Sequence, residues 1–326
     1  MAYRRSVYIK AKNILEERRR KAENEQEQRH NAVVSVCPEI AETEREMARF
    51  AAEVIKSVSM GKDAERFVLS LSQKNLEAQE KRKKLLKESG FPEDYLEVKY
   101  TCPVCKDTGS HDGYYCKCYL DLIRQTAKEE LGVAPSMKKC TFESFDLSLF
   151  SDEKDSKLSI SPRRLAQGTL NFCKEYAETF SLSSRNIIMI GKTGVGKTHL
   201  SLAIANRVID RGFDVYYASI HKIMDALQKE QFSRDRVEES IADRLYESDL
   251  LVIDDLGAEF STQFTVAALY NIVNTRLNAS RPIIINTNLS VAELEERYSQ
   301  RVASRIIGSS ERVLLIGSDI RQKLSK

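Results

Sequence analysis

The chain has 326 residues, of which 42% are hydrophobic and 30% are charged, and its formal net charge is +3. This length suits about two domains with packed cores, and the nearly neutral charge excludes a general basic field, so any nucleic-acid site must be a local patch. No apolar run approaches the roughly eighteen residues of a membrane span and no signal-peptide pattern is present, so we expect no membrane partner.

The first part of the chain, residues 1–100, is rich in charged residues and alanine and contains very little glycine or proline. This composition predicts a helical N-terminal region, which Pro38 and Gly61 divide. The first helix, containing "LEERRRKAENEQEQRH", has almost no apolar face, which predicts either a solvated helix or an interaction arm. The predicted helices span about 7–31, 38–60 and 63–89.

A cysteine cluster follows at residues 101–120, "TCPVCKDTGSHDGYYCKCYL". Cys102 and Cys105 form a C-x-x-C pair, and Cys116 and Cys118 form a C-x-C pair. Two such pairs separated by a glycine-containing loop can bring four thiolates onto one tetrahedral Zn²⁺, and full ligation by cysteine makes the site structural. A redox pair and unligated thiols are the alternatives. Clustered cysteines also indicate a reducing, cytoplasmic compartment.

Strands and helices alternate in the last part of the chain, which predicts a parallel α/β ATPase core over residues 166–326. Residues 121–165 are predicted to be a connector with one helix near 120–132. The predicted strands are 186–190, 214–218, 249–254, 282–287 and 312–316.

A phosphate-binding loop follows the first of these strands. The sequence "GKTGVGKT" matches G-x-x-x-x-G-K-[ST], with an apolar strand before it and a helix near 199–209 after it. Lys197 is predicted to reach the β- and γ-phosphates of a nucleotide, and the Thr198 hydroxyl to complete the shell of a Mg²⁺ ion. The loop residues are Gly191, Lys192, Thr193, Gly194, Val195, Gly196, Lys197 and Thr198.

Two further strands supply polar residues at their carboxyl ends. "DLLVIDDLG" ends in Asp254, predicted to hold Mg²⁺ through water, and Asp255, predicted to orient or deprotonate the attacking water. "PIIINTNLS" ends in Asn288, whose amide is predicted to bond the γ-phosphate. The alternative for Asn288 is a helix cap, a role for which Ser290 competes.

Two arginines follow in "YSQRVASRII". Arg301 and Arg305 are four residues apart and therefore lie on one helical face. An arginine at the edge of such a domain can stabilise the transferring phosphoryl group in a neighbour's site. The alternative is a solvated helix arginine.

Together these motifs resemble the bacterial replicative helicase loaders of the DnaC/DnaI type, which are AAA+ ATPases, and are close to the ATPase subunits of some transposition systems. The resemblance covers about residues 135–326 through "CTFESFD", "GKTGVGKTHL", "LLVIDDLG", "INTNLS" and "SRI". The helical N-terminal region with its zinc module extends the resemblance to the whole chain.

The resemblance implies an ATPase that uses ATP and Mg²⁺, binds the hexameric replicative helicase through its N-terminal part, and binds single-stranded DNA and self-assembles through its AAA+ part. It assigns Asn288 as the first sensor and Arg305 as the arginine finger. Asp255 stands where many AAA+ proteins have glutamate, which predicts slow hydrolysis. Few residues follow Arg305, so a full helical lid is not expected, and Arg321 is the candidate second sensor.

The motifs leave three alternatives to a helicase loader: a transposition ATPase, a small-molecule kinase and a zinc scaffold without catalysis. The Asp254–Asp255 strand and the "SRI" arginine argue against a kinase, and a scaffold leaves the phosphate loop unexplained. The helical region and the cysteine module favour a loader over a transposition ATPase, which does not require such an adaptor. His221, Lys222 and "FSRDR" are candidate DNA contacts.

Overall fold

The chain forms two compact units, Lys10–Leu120 and Met1–Ile9 with Asp121–Lys326. No helix in the described part of the chain is both long and apolar enough to cross a membrane. The computed structural model describes residues 3–57, 64–134, 137–155, 159–232 and 240–320.

Long helices make up most of the unit Lys10–Leu120. They are α1 (Arg5–Val36), α2 (Pro38–Ser57) and α3 (Ala64–Glu88). Proline suits the first position of a helix because its missing N–H would have no partner there, so Pro38 both separates α1 from α2 and begins α2. The predicted break at Gly61 lies outside the described residues. A small apolar cluster holds the helices together and comprises Val33, Ile40, Leu86 and Leu96.

The first helix does have a packed face, so the prediction that its polar segment lacks one was wrong. Leu15 is 2% exposed and Ala22 is 7% exposed. Polar side chains also pack here, because Gln26 donates to the carbonyl of Leu96 over 3.2 Å and Arg29 donates to that of Glu97 over 2.9 Å. An apolar pattern does not reveal such a face, since two buried apolar side chains, one amide bond and one guanidinium bond stand in place of a continuous hydrophobic stripe.

The same unit contains a short antiparallel hairpin, β1 (Ser110–His111) and β2 (Tyr114–Tyr115), in the cysteine segment. Helix α4 (Lys117–Glu129) begins directly after it.

A five-stranded parallel sheet forms the core of the larger unit, in the order β4–β5–β6–β3–β7. The predicted parallel α/β core is therefore confirmed. The strands are β3 (Asn186–Ile190), β4 (Val215–Ser219), β5 (Leu250–Leu256), β6 (Ile283–Thr287) and β7 (Ser310–Leu314). The helices are α5 (Pro162–Thr179), α6 (Lys197–Asp210), α7 (Ile220–Phe232), α8 (Ile241–Glu247), α9 (Gln263–Asn278) and α10 (Val291–Gly308).

The strand order creates a crevice at the end of β3. After β3 the chain builds β4, β5 and β6 on one side of it, and then returns to add β7 on the other side. Ligands of open parallel sheets bind at such a reversal, outside the carboxyl ends of the strands. The topology therefore predicts a binding site where β3 meets α6.

One buried cation ties the elements on the far side of the sheet together. Arg276 on α9 has no exposed surface. Its guanidinium donates to the carbonyl of Leu245 over 2.8 Å, to the hydroxyl of Ser248 over 3.1 Å and to the carbonyl of Pro282 over 2.8 Å. Arg276 thus fixes the end of α8 and the approach to β6.

We expect Arg276→Met to lower the free energy of unfolding of this unit by about 3 kcal/mol, because it leaves buried carbonyls without donors. That loss corresponds to a fall of about 6 to 12 °C in Tm for a unit of this size. Differential scanning calorimetry checks it, with the half-exposed Arg207→Met as the matched control, for which we expect less than about 1 kcal/mol. Equal Tm values for the two variants would contradict the structural role of Arg276.

Candidate functional site

The loop between β3 and α6 has a backbone that only glycine accommodates at two positions. Gly194 has φ 77° and Gly196 has φ 97°, both in the left-handed region. A Cβ on Gly196 would lie 2.7 Å from Cε2 of Phe145, and one on Gly194 would overlap the carboxylate of Asp319. The loop leads directly into the N-terminus of α6, whose free N–H groups favour an anion.

Lys197 joins this loop to the end of β6. Its side chain is nearly buried, and its ammonium donates to the carbonyls of Gly191 over 2.6 Å and Lys192 over 2.8 Å. It also donates to Oδ1 of Asn288 over 2.6 Å. Two residues predicted from separate motifs, the phosphate lysine and the sensor amide, are therefore in direct contact.

The alternative role of Asn288 as a helix cap belongs to another residue. Ser290 is the N-cap of α10, and its hydroxyl accepts from the N–H of Glu293 over 3.3 Å. The Glu293 carboxylate in turn accepts from the N–H of Ser290 over 2.7 Å, which completes a capping box. The exposed side chain of Asn288 is therefore not the helix cap and lies at the edge of the cavity, where its oxygen accepts from Lys197.

The two acidic residues of β5 have different surroundings. Asp254 is 4% exposed, and the Thr198 hydroxyl donates to its carboxylate over 3.0 and 3.2 Å. Asp255 is exposed and has φ 54°, and it lines the same cavity as Asp254. A threonine hydroxyl beside a carboxylate at the end of a phosphate loop matches the oxygen ligands and outer-sphere contacts that Mg²⁺ prefers.

A cavity of about 500 Å³ lies against the phosphate loop. Its opposite wall comes from the connector between α4 and α5, through Met137, Phe145, Leu149 and Phe150. An apolar wall facing a phosphate-binding loop suits a nucleotide, which has a flat base at one end and charged phosphates at the other. Sequence reasoning missed this wall, although the aromatic residues of "CTFESFDLSLF" were a visible signal.

Two side chains of α6 hold the connector in place. Nε2 of His199 lies 2.8 Å from the carbonyl oxygen of Thr141, and the Asn206 amide donates to the carbonyl of Cys140 over 3.0 Å. The ring of Phe145 also meets that of His199 edge to face, with centroids 5.3 Å apart. The wall and the loop are therefore parts of one packed site.

The two arginines lie beyond a break in α10. Ser299 interrupts the helix with φ 76° and ψ 155°. Arg301 donates to the hydroxyl of Tyr270 over 2.8 Å and lies over its ring. Arg305 is exposed and is not among the residues that line the cavity of its own chain.

The helix before that break is bonded to the loop after β5. Glu259 is 3% exposed, and its carboxylate accepts from the hydroxyl of Tyr298 and from the N–H of Gly257. Arg297 donates to the backbone carbonyl of Glu259. The segment 257–259, which follows Asp254 and Asp255, is therefore bonded to the part of α10 that precedes the break.

The structure says little about the roles of the remaining candidates, which are His221, Lys222, "FSRDR" and Arg321. Lys222 donates to the carbonyl of Gly132 over 3.2 Å, and His221 is exposed. Arg321 and residues 233–236 of "FSRDR" lie outside the described residues.

The four clustered cysteines converge on one point. The sulfur atoms of Cys102, Cys105, Cys116 and Cys118 all lie within 4.8 Å of one another. The distance is 3.8 Å between Cys102 and Cys116, and 3.4 Å between Cys105 and Cys118. Tetrahedral zinc with Zn–S bonds of about 2.3 Å requires sulfur atoms about 3.8 Å apart, so the donor set fits Zn²⁺.

Local hydrogen bonds shape the first cysteine turn. The buried carboxylate of Asp107 accepts from the N–H groups of Thr101 over 2.8 Å and Cys102 over 2.9 Å. The backbone N–H of Cys105 lowers the pKa of the Cys102 thiol to about 7, whereas burial raises the pKa of Cys118. His111 instead pairs with Asp112, with Nδ1 and Oδ2 3.1 Å apart. The cluster is therefore built from cysteine alone.

Comparisons with known proteins place the larger unit among ATP-binding proteins. Residues 132–323 match the family model described as IstB-like ATP binding protein, and this range contains every residue that lines the cavity.

The replicative helicase loader DnaC of Escherichia coli (strain K12) is 27% identical over 195 residues, which cover 60% of this chain and 74% of DnaC. The DnaC protein of Buchnera aphidicola (subsp. Baizongia pistaciae, strain Bp) is 27% identical over 181 residues, which cover 55% of this chain and 68% of that protein. A crystal structure of DnaI aligns with a TM-score of 0.47 at 19% identity, covering 60% of this chain and 99% of that chain.

The cysteine cluster leads to a prediction about metal content. Protein purified without chelators should contain about one Zn²⁺ per chain, and Cys118→Ser should lose most of it because three thiolates bind zinc much more weakly than four. Elemental analysis of both proteins measures this. The matched control is Cys37→Ser in the same unit, which should keep the zinc. Zinc-free wild-type protein, or full zinc content in Cys118→Ser, would refute a four-cysteine site.

Proposed function

Because the chain belongs to the family of IstB-like ATP binding proteins, we propose that it is an ATP-dependent loader of the replicative DNA helicase. The family predicted from the sequence motifs is confirmed by this match, and the curated relatives named above are helicase loaders. The observation that carries the proposal is the meeting of Lys197, Thr198, Asp254 and Asn288 at one cavity edge. This arrangement supports nucleotide binding by residues at the carboxyl ends of three neighbouring strands, β5, β6 and β3.

ATP would bind with its base against the apolar connector wall and its phosphates along the loop residues 191–198. The Lys197 ammonium would exchange its bonds to loop carbonyls for bonds to phosphate oxygens while remaining beside Asn288. Thr198 and Asp254 would hold Mg²⁺, which neutralises charge on the phosphates when bound. Each contact uses a side chain that already faces this cavity.

Hydrolysis would depend on Asp255 and Asn288. The exposed Asp255 carboxylate lines the cavity, where it would orient or deprotonate the attacking water, and the Asn288 amide would bond the γ-phosphate. Because an aspartate reaches one methylene less far than a glutamate, we propose that turnover is slow and that ATP acts as a switch.

Arg305 would complete the site of a neighbouring copy. Its exposure and its absence from the lining of its own cavity support a role between chains, whereas Arg301 already bonds Tyr270. An arginine donated to the transferring phosphoryl group stabilises charge that develops only in the transition state. We therefore propose ATP-dependent self-assembly.

The N-terminal part would bind the helicase. We propose residues 1–100 as the partner-binding region, 101–120 as a zinc module, 121–165 as a connector and 166–326 as the AAA+ ATPase domain, which would also bind single-stranded DNA. The separate apolar cluster and cysteine site within Lys10–Leu120 support a module with its own role.

The alternative is an ATPase subunit of a transposition system, which would remodel a complex of transposase and DNA. The matched family, which is described as IstB-like ATP binding protein, is compatible with this alternative function as well. The two functions differ in the partner of the N-terminal region.

We expect the full-length protein with ATP to transfer purified replicative helicase onto closed circular single-stranded DNA. Lys197→Ala should fail in this assay, since it removes the ammonium that would bind the phosphates and should weaken ATP binding by at least about 100-fold. Helicase retained on the circles and nucleotide affinity are the two measurements.

Lys192→Ala is the matched control, because this exposed lysine lies in the same loop and would contribute only its backbone. It should load helicase normally. Normal ATP binding by Lys197→Ala would refute the nucleotide site. Failure to bind helicase by a wild-type protein that does bind a transposase would favour the transposition function.

A second prediction concerns Arg305. Arg305→Ala should bind ATP like the wild type, but its hydrolysis should fall by at least about tenfold, because only the transition state loses a contact. Arg301→Ala is the control on the same helix, and its hydrolysis should change by less than about threefold. Steady-state phosphate release measures both.

Mixing Arg305→Ala chains with Lys197→Ala chains should restore part of the activity. The first variant lacks only the donated arginine and the second lacks only its own nucleotide site, so one type of mixed interface is complete. A co-assembled mixture without activity would show that Arg305 does not act between chains.

A further inference from the structure

The Asp254 carboxylate receives hydrogen bonds from strands on both sides of β5. The hydroxyl of Tyr217, on β4, donates to Oδ2. The amide of Asn286, on β6, donates to Oδ1 over 2.8 Å. Neither residue belongs to the phosphate loop or to the acidic pair, so each is an additional part of the site.

These donors are neutral, and Asp254 is almost completely buried. No lysine, arginine or histidine of the described residues forms an ion pair with it. A buried carboxylate with hydrogen bonds but no cationic partner carries a negative charge that is not fully compensated, and such a charge attracts a cation. The electrostatic arrangement therefore suits a positively charged ion beside Asp254.

The orientation of the Asn286 amide follows from its neighbours. An ionised carboxylate only accepts hydrogen bonds, so the amide atom beside Asp254 must be the NH₂ group. The same group donates over 2.8 Å to the hydroxyl of Ser201, which itself donates to the carbonyl of Thr198 over 3.1 Å. This leaves Oδ1 of Asn286 buried without a partner among the described residues. Buried acceptors of this kind are rare in proteins and call for a functional explanation.

The Tyr217 hydroxyl acts as the donor in its contact with Asp254, because an ionised carboxylate can only accept. The two lateral donors contact different oxygens of the carboxylate, which fixes the plane of the group. Oδ1 also accepts from the backbone N–H of Asp255 over 3.1 Å, and the Thr198 hydroxyl lies beside both oxygens.

We infer that Tyr217 and Asn286 are positioning residues that orient Asp254 toward the Mg²⁺ ion of bound Mg-ATP. The inference rests on the proposed nucleotide site and adds two residues to it. With Mg²⁺ bound, the Thr198 hydroxyl would ligate the ion through an oxygen lone pair and could still donate its proton to Asp254. The lateral bonds from Tyr217 and Asn286 would hold the carboxylate in place before the ion binds, so less freedom would be lost on binding.

The test compares nucleotide affinity with and without Mg²⁺. A fluorescent ATP analogue is titrated into full-length protein in excess Mg²⁺ and, separately, in EDTA. Tyr217→Phe should bind the analogue about three- to tenfold more weakly than the wild type in Mg²⁺, because its carboxylate is less well oriented. In EDTA the two proteins should agree within about twofold, since Tyr217 would not touch the nucleotide.

Tyr216→Phe is the matched control. Tyr216 is the preceding residue of β4, and its ring lies 4.2 Å from the guanidinium carbon of Arg244 rather than beside Asp254. It should keep the wild-type affinities in both buffers. Asn286→Leu, which replaces the amide with an apolar group of similar size, should repeat the Tyr217→Phe result, and a melting curve in EDTA shows whether that variant is folded.

The outcomes separate this inference from the proposed function. If Tyr217→Phe gains as much affinity for the ATP analogue from Mg²⁺ as the wild type does, the positioning role of Tyr217 is wrong, but the proposed nucleotide site is unaffected. Equal weakening in Mg²⁺ and EDTA also overturns it, because that result indicates a general structural effect. Wild-type protein that gains no affinity from Mg²⁺ overturns both the metal role of Asp254 and the inference. A loss of helicase loading alone bears only on the proposed function.

Discussion

The bonds made by the Lys197 ammonium connect the parts of the nucleotide site. This group bonds two carbonyls of the loop after β3 and the Asn288 amide after β6. The contact exists because β3 and β6 are parallel neighbours and therefore end at the same edge of the sheet. Asp254 reaches that edge from β5, the next strand along. A change in the order of these strands would separate the residues although each local motif stayed intact.

The sequence predicts the parts of this site that depend on local patterns. Buried strands appear as apolar runs, and the phosphate loop is recognisable because its glycines and lysine have fixed spacing. The aromatic residues of the connector wall are visible in the sequence, but their place beside the loop is not, since Phe145 packs on Gly196 without any periodicity linking the two. Tyr217 and Asn286 escaped for a similar reason. They look like ordinary strand residues until the sheet order places both beside Asp254.

The unit Lys10–Leu120 is held together in a different way from the sheet. Its apolar cluster is small, and a hairpin of two-residue strands is not stable by itself. Four converging thiols and a buried aspartate that bonds backbone N–H groups instead define the cysteine segment. Metal binding can supply folding free energy where a small segment has little hydrophobic core. The polar contacts of α1 complement this, which is why the scarcity of apolar residues predicted the helix but not its packed face.

The exposed position of Arg305, away from the cavity of its own chain, has a consequence for any assembly of copies. A contact that joins the arginine surface of one chain to the cavity of the next is heterologous, so it has a direction. An open row of chains then contains one cavity at its end that receives no arginine and one arginine at the other end that has no cavity. If Arg305 acts between chains as proposed, the two ends of such a row are chemically different, because only one of them presents a cavity that receives no arginine.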